Sequence, residues 1–97
     1  NESAQKAIDA SKKLLVFGGD NLADFREPSI WDKNDPKNPV KTWAKDYFNK
    51  ASLAKIDKLE YFTIVYLPAS PPPRPGGVML FVYEKKDTKL IYRAGQK

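Results

Sequence analysis

The sequence predicts an α+β fold: N-terminal helices packed on a three- to four-stranded antiparallel meander. Helix-patterned stretches fill the first half of the chain, and strand-like runs fill the second. The runs 61–67, 78–83 and 90–93 are rich in β-branched and aromatic residues. Ninety-seven residues are one domain's worth of chain, and 41% apolar with 30% charged residues is the balance of an ordinary globule.

The elements follow in order. Ser3 is placed to cap a first helix, on which Ala4, Ala7, Ile8, Ser11 and Leu15 form a narrow stripe. Gly18-Gly19 stops it, because glycine takes the left-handed conformation cheaply. Asp20 or Asn21 then caps a short helix over 22–27, which Pro28 ends. Ser29-Ile30-Trp31 reads as extended, and residues 32–39 are turn chemistry. Asn38 followed by Pro39 is a helix start. Val40, Trp43, Ala44, Tyr47, Phe48 and Ala51 recur at helical spacing, which predicts one helix with a continuous apolar face packed across the sheet. A break is expected near Ala51-Ser52, with extended chain by Lys58. After the second strand run, residues 84–89 make a polar hairpin loop.

The strands carry a functional clue. Tyr61, Thr63, Val65 and Leu67 point one way, and Phe62, Ile64 and Tyr66 the other. Val78, Leu80 and Val82 oppose Met79, Phe81 and Tyr83 in the same sense. A sheet with one wet face places polar residues at alternate positions, so this sheet is expected to be apolar on both faces. The long helix covers one. The other meets the first helix and residues 30–31, meets a second copy of the chain, or lies partly exposed as a binding surface.

Between the two strongest strands lies a stretch with five prolines in eight residues, Pro68 to Pro75. Proline lacks the amide hydrogen of a strand ladder and fixes φ, so this segment reads as a stiff connector close to polyproline II. Pro71, Pro72, Pro73 and Pro75, with Arg74 as the charge among them, make a preorganised contact surface. Pro68-Ala69-Ser70-Pro71 also satisfies the minimal spacing of a proline-recognition motif, though a spacing this short recurs by chance.

The net charge of +5 is uneven. Residues 1–27 carry −1, residues 28–60 carry +2 and residues 61–97 carry +4. The strand-rich end is therefore suited to an anionic or acidic partner as well as to solubility. No apolar run approaches the ~18 residues of a membrane span. The start at Asn1-Glu2-Ser3 without methionine leans towards a secreted or periplasmic protein, and fits a cloned domain equally.

With no histidine and no cysteine, the chain lacks the usual nucleophilic dyads and zinc or haem ligands. A serine–lysine dyad exists on paper, with no spacing that favours one pair. Asp20, Asp24 and Glu27 are the densest acidic cluster, a pattern that a helix N-terminus also attracts. Asp32-Lys33-Asn34-Asp35 resembles a fragment of a calcium loop but lacks the glycine and terminal glutamate, so it reads as a turn. Gly18-Gly19-Asp20-Asn21 precedes a helix, yet Asp20 opposes phosphate. No metal or cofactor is expected.

The element order is similar to that of the cystatin-like and NTF2-like superfolds, in order alone, with no residue motif to accompany it. The expected function is a non-enzymatic protein-interaction module, of accessory, inhibitory or assembly type, using the sheet face and the proline-rich loop. Its candidate contacts are Pro71, Pro72, Pro73, Arg74, Pro75, Tyr83, Tyr92 and Arg93. The expected partner is another protein, acidic in character, or a second copy of the chain. One alternative is a small-ligand pocket or an enzyme. The other is a single-stranded nucleic-acid module, since aromatics and cations interleave near the strands, but no RNA-binding signature is present.

Overall fold

Helix α1 spans Glu2–Phe17 in the computed structural model, which describes residues 2–70 and 77–95. Of the expected stripe it buries Ala7, Ser11 and Leu15 against the sheet, with Ala4 and Ile8 half-buried beside them. Its end is a double hydrogen bond, Gly19 N–H to the Val16 carbonyl at 3.0 Å and Asp20 N–H to that of Leu15 at 2.9 Å. Gly19 at φ 92° makes that reversal without a Cβ clash.

The expected helix over 22–27 is only a 3-10 turn, Leu22–Asp24, capped by the Asn21 side chain. Its continuation is lost because the backbone finds strand-like partners instead. Arg26 N–H donates to the Leu67 carbonyl at 2.8 Å, Ala69 N–H donates to that of Asp24 at 2.9 Å, and Phe25 bridges Pro68.

The sheet has four strands, β1 (Ser29–Asp32), β2 (Tyr61–Tyr66), β3 (Met79–Glu84) and β4 (Lys89–Gly95). All neighbours are antiparallel, in the order β1-β2-β3-β4. Ile30 faces Ile64, and Ile64 faces Phe81. The register slips between Val82 and Tyr83, where Val82 pairs with Tyr92 but Tyr83 with Leu90. This bulge leaves Ile91 without an opposite residue and puts it beside Tyr92 in the same packing cluster.

The segment between β1 and β2 departs most from expectation. The predicted continuous helix over 40–51 is two 3-10 turns, Pro39–Lys41 and Lys45–Tyr47, followed by helix α2 (Lys50–Asp57). Two side chains take over the backbone bonding. The Thr42 hydroxyl donates to the Asn38 carbonyl at 3.1 Å, and Thr42 itself sits at φ −125°, ψ −114°, outside helical geometry. Asn49 accepts from Ser52 N–H at 2.7 Å and starts α2 there, so helix runs through the expected break at Ala51-Ser52. The apolar residues therefore split. Val40, Ala44 and Phe48, four apart, are buried, whereas Trp43 is 50% and Tyr47 37% exposed.

The two predicted faces of β2 and β3 are found as two separate apolar clusters. Tyr61, Val65, Leu80 and Val82 pack with Val40, Ala44, Phe48 and Ile56. Phe62, Ile64, Tyr66, Phe81 and Tyr83 pack with Ala7 and Leu15 of α1. Every residue of β2 is buried. Of the three expected fates of the second face, the structure shows the first: α1 with Ile30 covers it and residues 39–57 cover the other, so neither face is left open for a partner or a second copy.

The layers are joined by buried polar contacts. The Ser11 and Tyr66 hydroxyls are 2.6 Å apart, tying α1 to β2. Asn38, wholly buried, donates through Nδ2 to the Asp32 carbonyl at 3.0 Å. Its Oδ1 accepts from Val40 N–H at 3.0 Å and from the Thr63 hydroxyl at 2.9 Å. One side chain thus fastens β1, β2 and the covering segment together.

Candidate interaction surfaces

The structure disperses the residues that the sequence proposed for contact. Pro71, Pro72, Pro73, Arg74 and Pro75 lie outside the described residues. Tyr83 is only 2% exposed and belongs to the core beneath α1, so as a surface contact it is corrected. The Tyr92 ring is half-buried, 4.4 Å from that of Phe48, and its hydroxyl donates to the Tyr47 carbonyl at 3.5 Å. Arg93, the next residue along β4, is exposed and points to the opposite side, its guanidinium 5.7 Å from the centre of the Phe81 ring. Tyr92 and Arg93 therefore serve different faces.

Trp43 and Tyr47, read from the sequence as core, are the aromatic surface. Their rings meet edge to face at 6.2 Å, and Tyr92 sits directly behind through its contact with Tyr47. The surrounding segment is basic. Residues 37–58 contain six lysines against Asp46 and Asp57. This layer is thus positive, as is the strand-rich end over 61–97, whereas residues 1–27 carry −1. The alternation Lys41, Trp43, Lys45, Tyr47 is the sequence signal for this surface, and helical periodicity conceals it.

Strand β4 is one edge of the sheet, with no strand partner on its outer side among the described residues. Lys89 and Arg93 are exposed along it, a charge pattern that discourages edge-to-edge pairing.

Several acidic groups are engaged locally. Glu27 pairs with Lys12 at 3.5 Å. Asp32 accepts from Asn34 N–H at 2.9 Å and from Lys85 Nζ, and these contacts hold its carboxyl below the usual carboxylate range. Asp35 accepts from Lys37 N–H at 2.9 Å. The fragment that resembles a calcium loop is thus a pair of side-chain-capped turns. Among the described residues no three Asp or Glu side chains gather as a metal site would need.

Clefts remain among the described residues. One, of about 280 Å³, lies between Val40, Leu53 and Tyr61, with Lys41 and Asp57 at its border. The Tyr61 hydroxyl there is pushed to a raised pKa, first by burial and then by Asp57 and Glu60. Another, of about 400 Å³, lies between α1 and the β3–β4 hairpin and includes Tyr83 in its wall, and a third, of about 340 Å³, lies beside Val16, Phe17 and Leu22. No protein-family model matches this chain, and no curated protein or solved structure shows significant similarity to it.

Proposed function

We propose that this chain is a non-enzymatic protein-interaction module that engages an acidic partner through the lysine-rich layer around Trp43 and Tyr47. The carrying observation is the half-exposed Trp43 ring, held edge-on to Tyr47 on a segment with six lysines against two acids. Large aromatics left at the surface cost water contact that a partner can relieve, and tryptophan and tyrosine dominate the energetics of protein interfaces. The lysines add attraction at long range and raise the encounter rate. Arg74 and the prolines beside it supply a second contact in this reading, because a proline-dense sequence has little conformational entropy to lose on binding.

The experiment is affinity capture by the wild-type chain, by a Trp43→Ala/Tyr47→Ala double variant and by an Arg74→Ala variant. Identification of the retained protein is followed by titration calorimetry. An acidic protein is expected, with affinity reduced at least about 30-fold in the double variant, the loss typical of an interface hot spot of about 2 kcal/mol. Unchanged affinity in the double variant refutes the assignment. Aromatic residues among lysines also suit stacked bases, so single-stranded oligonucleotides are titrated in parallel. Tight binding that falls steeply with salt and needs Trp43 would replace the protein partner with nucleic acid.

A further inference from the structure

We propose that the cleft walled by Val40, Leu53 and Tyr61 binds a free apolar α-amino acid of about the size of leucine, with its ammonium at Asp57, its carboxylate at Lys41 and Tyr61, and its side chain on the apolar floor. A volume of about 280 Å³ lies just under the range of drug-sized sites, which restricts the occupant to a small molecule. This site is separate from the protein-binding surface, since neither Trp43 nor Tyr47 lines it.

The floor is core surface. Val40 and Ile56 are buried members of the first apolar cluster, and Leu53 packs against it. An aliphatic side chain laid there extends that cluster by a few contacts and needs no rearrangement of it.

The two charges come from different elements. Lys41 ends the 3-10 turn Pro39–Lys41, and Asp57 ends α2. They border one cleft, yet among the described residues they form no ion pair with each other or with a third group. Lys33 does not answer Asp57: its ammonium takes the Asp57 carbonyl at 2.7 Å and pairs with Glu60 at 3.4 Å, leaving the Asp57 carboxylate aside. Asp57 also stands at the helix end where a carboxylate is unfavourable and a cation is favoured. A ligand ammonium at that position answers the carboxylate and the helix end together.

Tyr61 adds a donor. Among the described residues the Tyr83 hydroxyl is the one buried side-chain polar atom that is both sealed from solvent and unpartnered. The Tyr61 hydroxyl likewise makes no hydrogen bond among the described residues, so it is open to solvent although the residue is only 2% exposed. Tyr61 walls the cleft and its hydroxyl feels the charge of Asp57 at the border, so that small opening is on the cleft side. Burial and the nearby carboxylates raise its pKa, which keeps the phenol protonated and donating at neutral pH.

Other heads fit less of this set. A simple carboxylate brings a second anion beside Asp57 and Glu60. An alkylamine leaves Lys41 and Tyr61 without an acceptor. A hydrocarbon leaves both charges unanswered. A zwitterion on one carbon satisfies all three groups.

The test is calorimetric titration with leucine, with 4-methylpentanoate, which lacks the ammonium, and with 3-methylbutylamine, which lacks the carboxylate, and NMR mapping of amide shifts. Leucine is expected to bind at least about tenfold more tightly than either single-charge analogue, with shifts at Lys41, Leu53 and Tyr61 and none at Leu14 or Leu90. Asp57→Asn is expected to weaken leucine about tenfold and to leave 4-methylpentanoate no weaker. Lys41→Gln is expected to weaken leucine by a similar factor and to leave 3-methylbutylamine unchanged. Both positions are exposed, so circular dichroism should show an intact fold in each variant. Trp43→Ala should retain leucine binding. Absence of leucine binding, equal binding of the three compounds, or a leucine affinity unmoved by Asp57→Asn or by Lys41→Gln overturns the proposal.

Discussion

Replacing Asn38 with alanine is expected to be among the most damaging single changes in the fold. Its side chain has 0% exposure and spends both ends on partners. Alanine strips the acceptor from Val40 N–H and from the Thr63 hydroxyl, in residues 4% and 0% exposed. Each orphaned buried group costs about 1–3 kcal/mol, so the two together cost roughly 2–6 kcal/mol. The lost bond to the partly buried Asp32 carbonyl adds to that, while water reaches it more readily. A domain of this length has roughly 5–15 kcal/mol of stability in total, so the variant should be near the edge of folding. Thr63→Val is the control. It leaves Oδ1 bonded to Val40 N–H and should cost about 1 kcal/mol. In the double variant one orphan is removed, so its cost should fall short of the sum of the two single costs. Urea unfolding followed by circular dichroism measures all three. A cost under 1 kcal/mol for Asn38→Ala, or strict additivity, would refute the account of Asn38 as the fastening point.

Three further outcomes are expected. Trp43→Ala should cost about 1 kcal/mol of stability, against the ~3–5 kcal/mol of a central aromatic ring; a loss above 3 kcal/mol in urea unfolding would put the ring back in the core. At alkaline pH, Tyr61, Tyr66 and Tyr83 have raised pKa values, chiefly through burial, so the folded state holds their protons after the unfolded chain begins to lose them near pH ~10. Stability should then fall from pH ~10 towards Tyr83's value of about 12; a flat unfolding midpoint across that range, with tyrosinate absorbance rising near pH 10, contradicts the burial. In acid the sign reverses: the lowered Asp32 pKa contributes stability that is present above pH ~4 and lost as pH falls through its folded value. Asp32 is 44% exposed, so the contribution should stay under about 1 kcal/mol, and Asp32→Asn should make the acid limb of the stability curve shallower.

The strand half of the fold was legible because its signal is local. Side-chain alternation in β2 and β3 assigned Val65 and Ile64 to opposite faces, and the two clusters keep that assignment. The glycine stop of α1 was legible for the same reason. Residues 39–57 were misread because an apolar i, i+3, i+4 pattern measures hydrophobicity without measuring competition for the backbone. Thr42 and Asn49 bond to main-chain groups and divide the segment, turning Trp43 and Tyr47 outward. The exposure of Trp43 and Tyr47 was missed through that single error. The bulge at Tyr83 was not legible either, since it depends on pairing between β3 and β4 and no residue announces it. That the Tyr83 hydroxyl has no partner among the described residues is invisible to sequence in the same way, because satisfaction is a property of neighbours in space.

The attachment of α1 has a dynamic consequence. The helix holds to the sheet through a stripe of small and medium side chains, Ala7, Ser11 and Leu15, and through the Ser11–Tyr66 contact. No strand hydrogen bond of the sheet passes through it. It can therefore lift away while the four-stranded ladder stays paired, a partial opening of the kind seen in native-state hydrogen exchange. Amides of α1 should then exchange through a lower-energy opening than those of β2 and β3. In that opened species Phe62, Ile64, Tyr66 and Phe81 would face water together, making the sheet's second face sticky for a short time. Ser11 thus governs the lifetime of an aggregation-prone excursion as well as the stability of the resting fold.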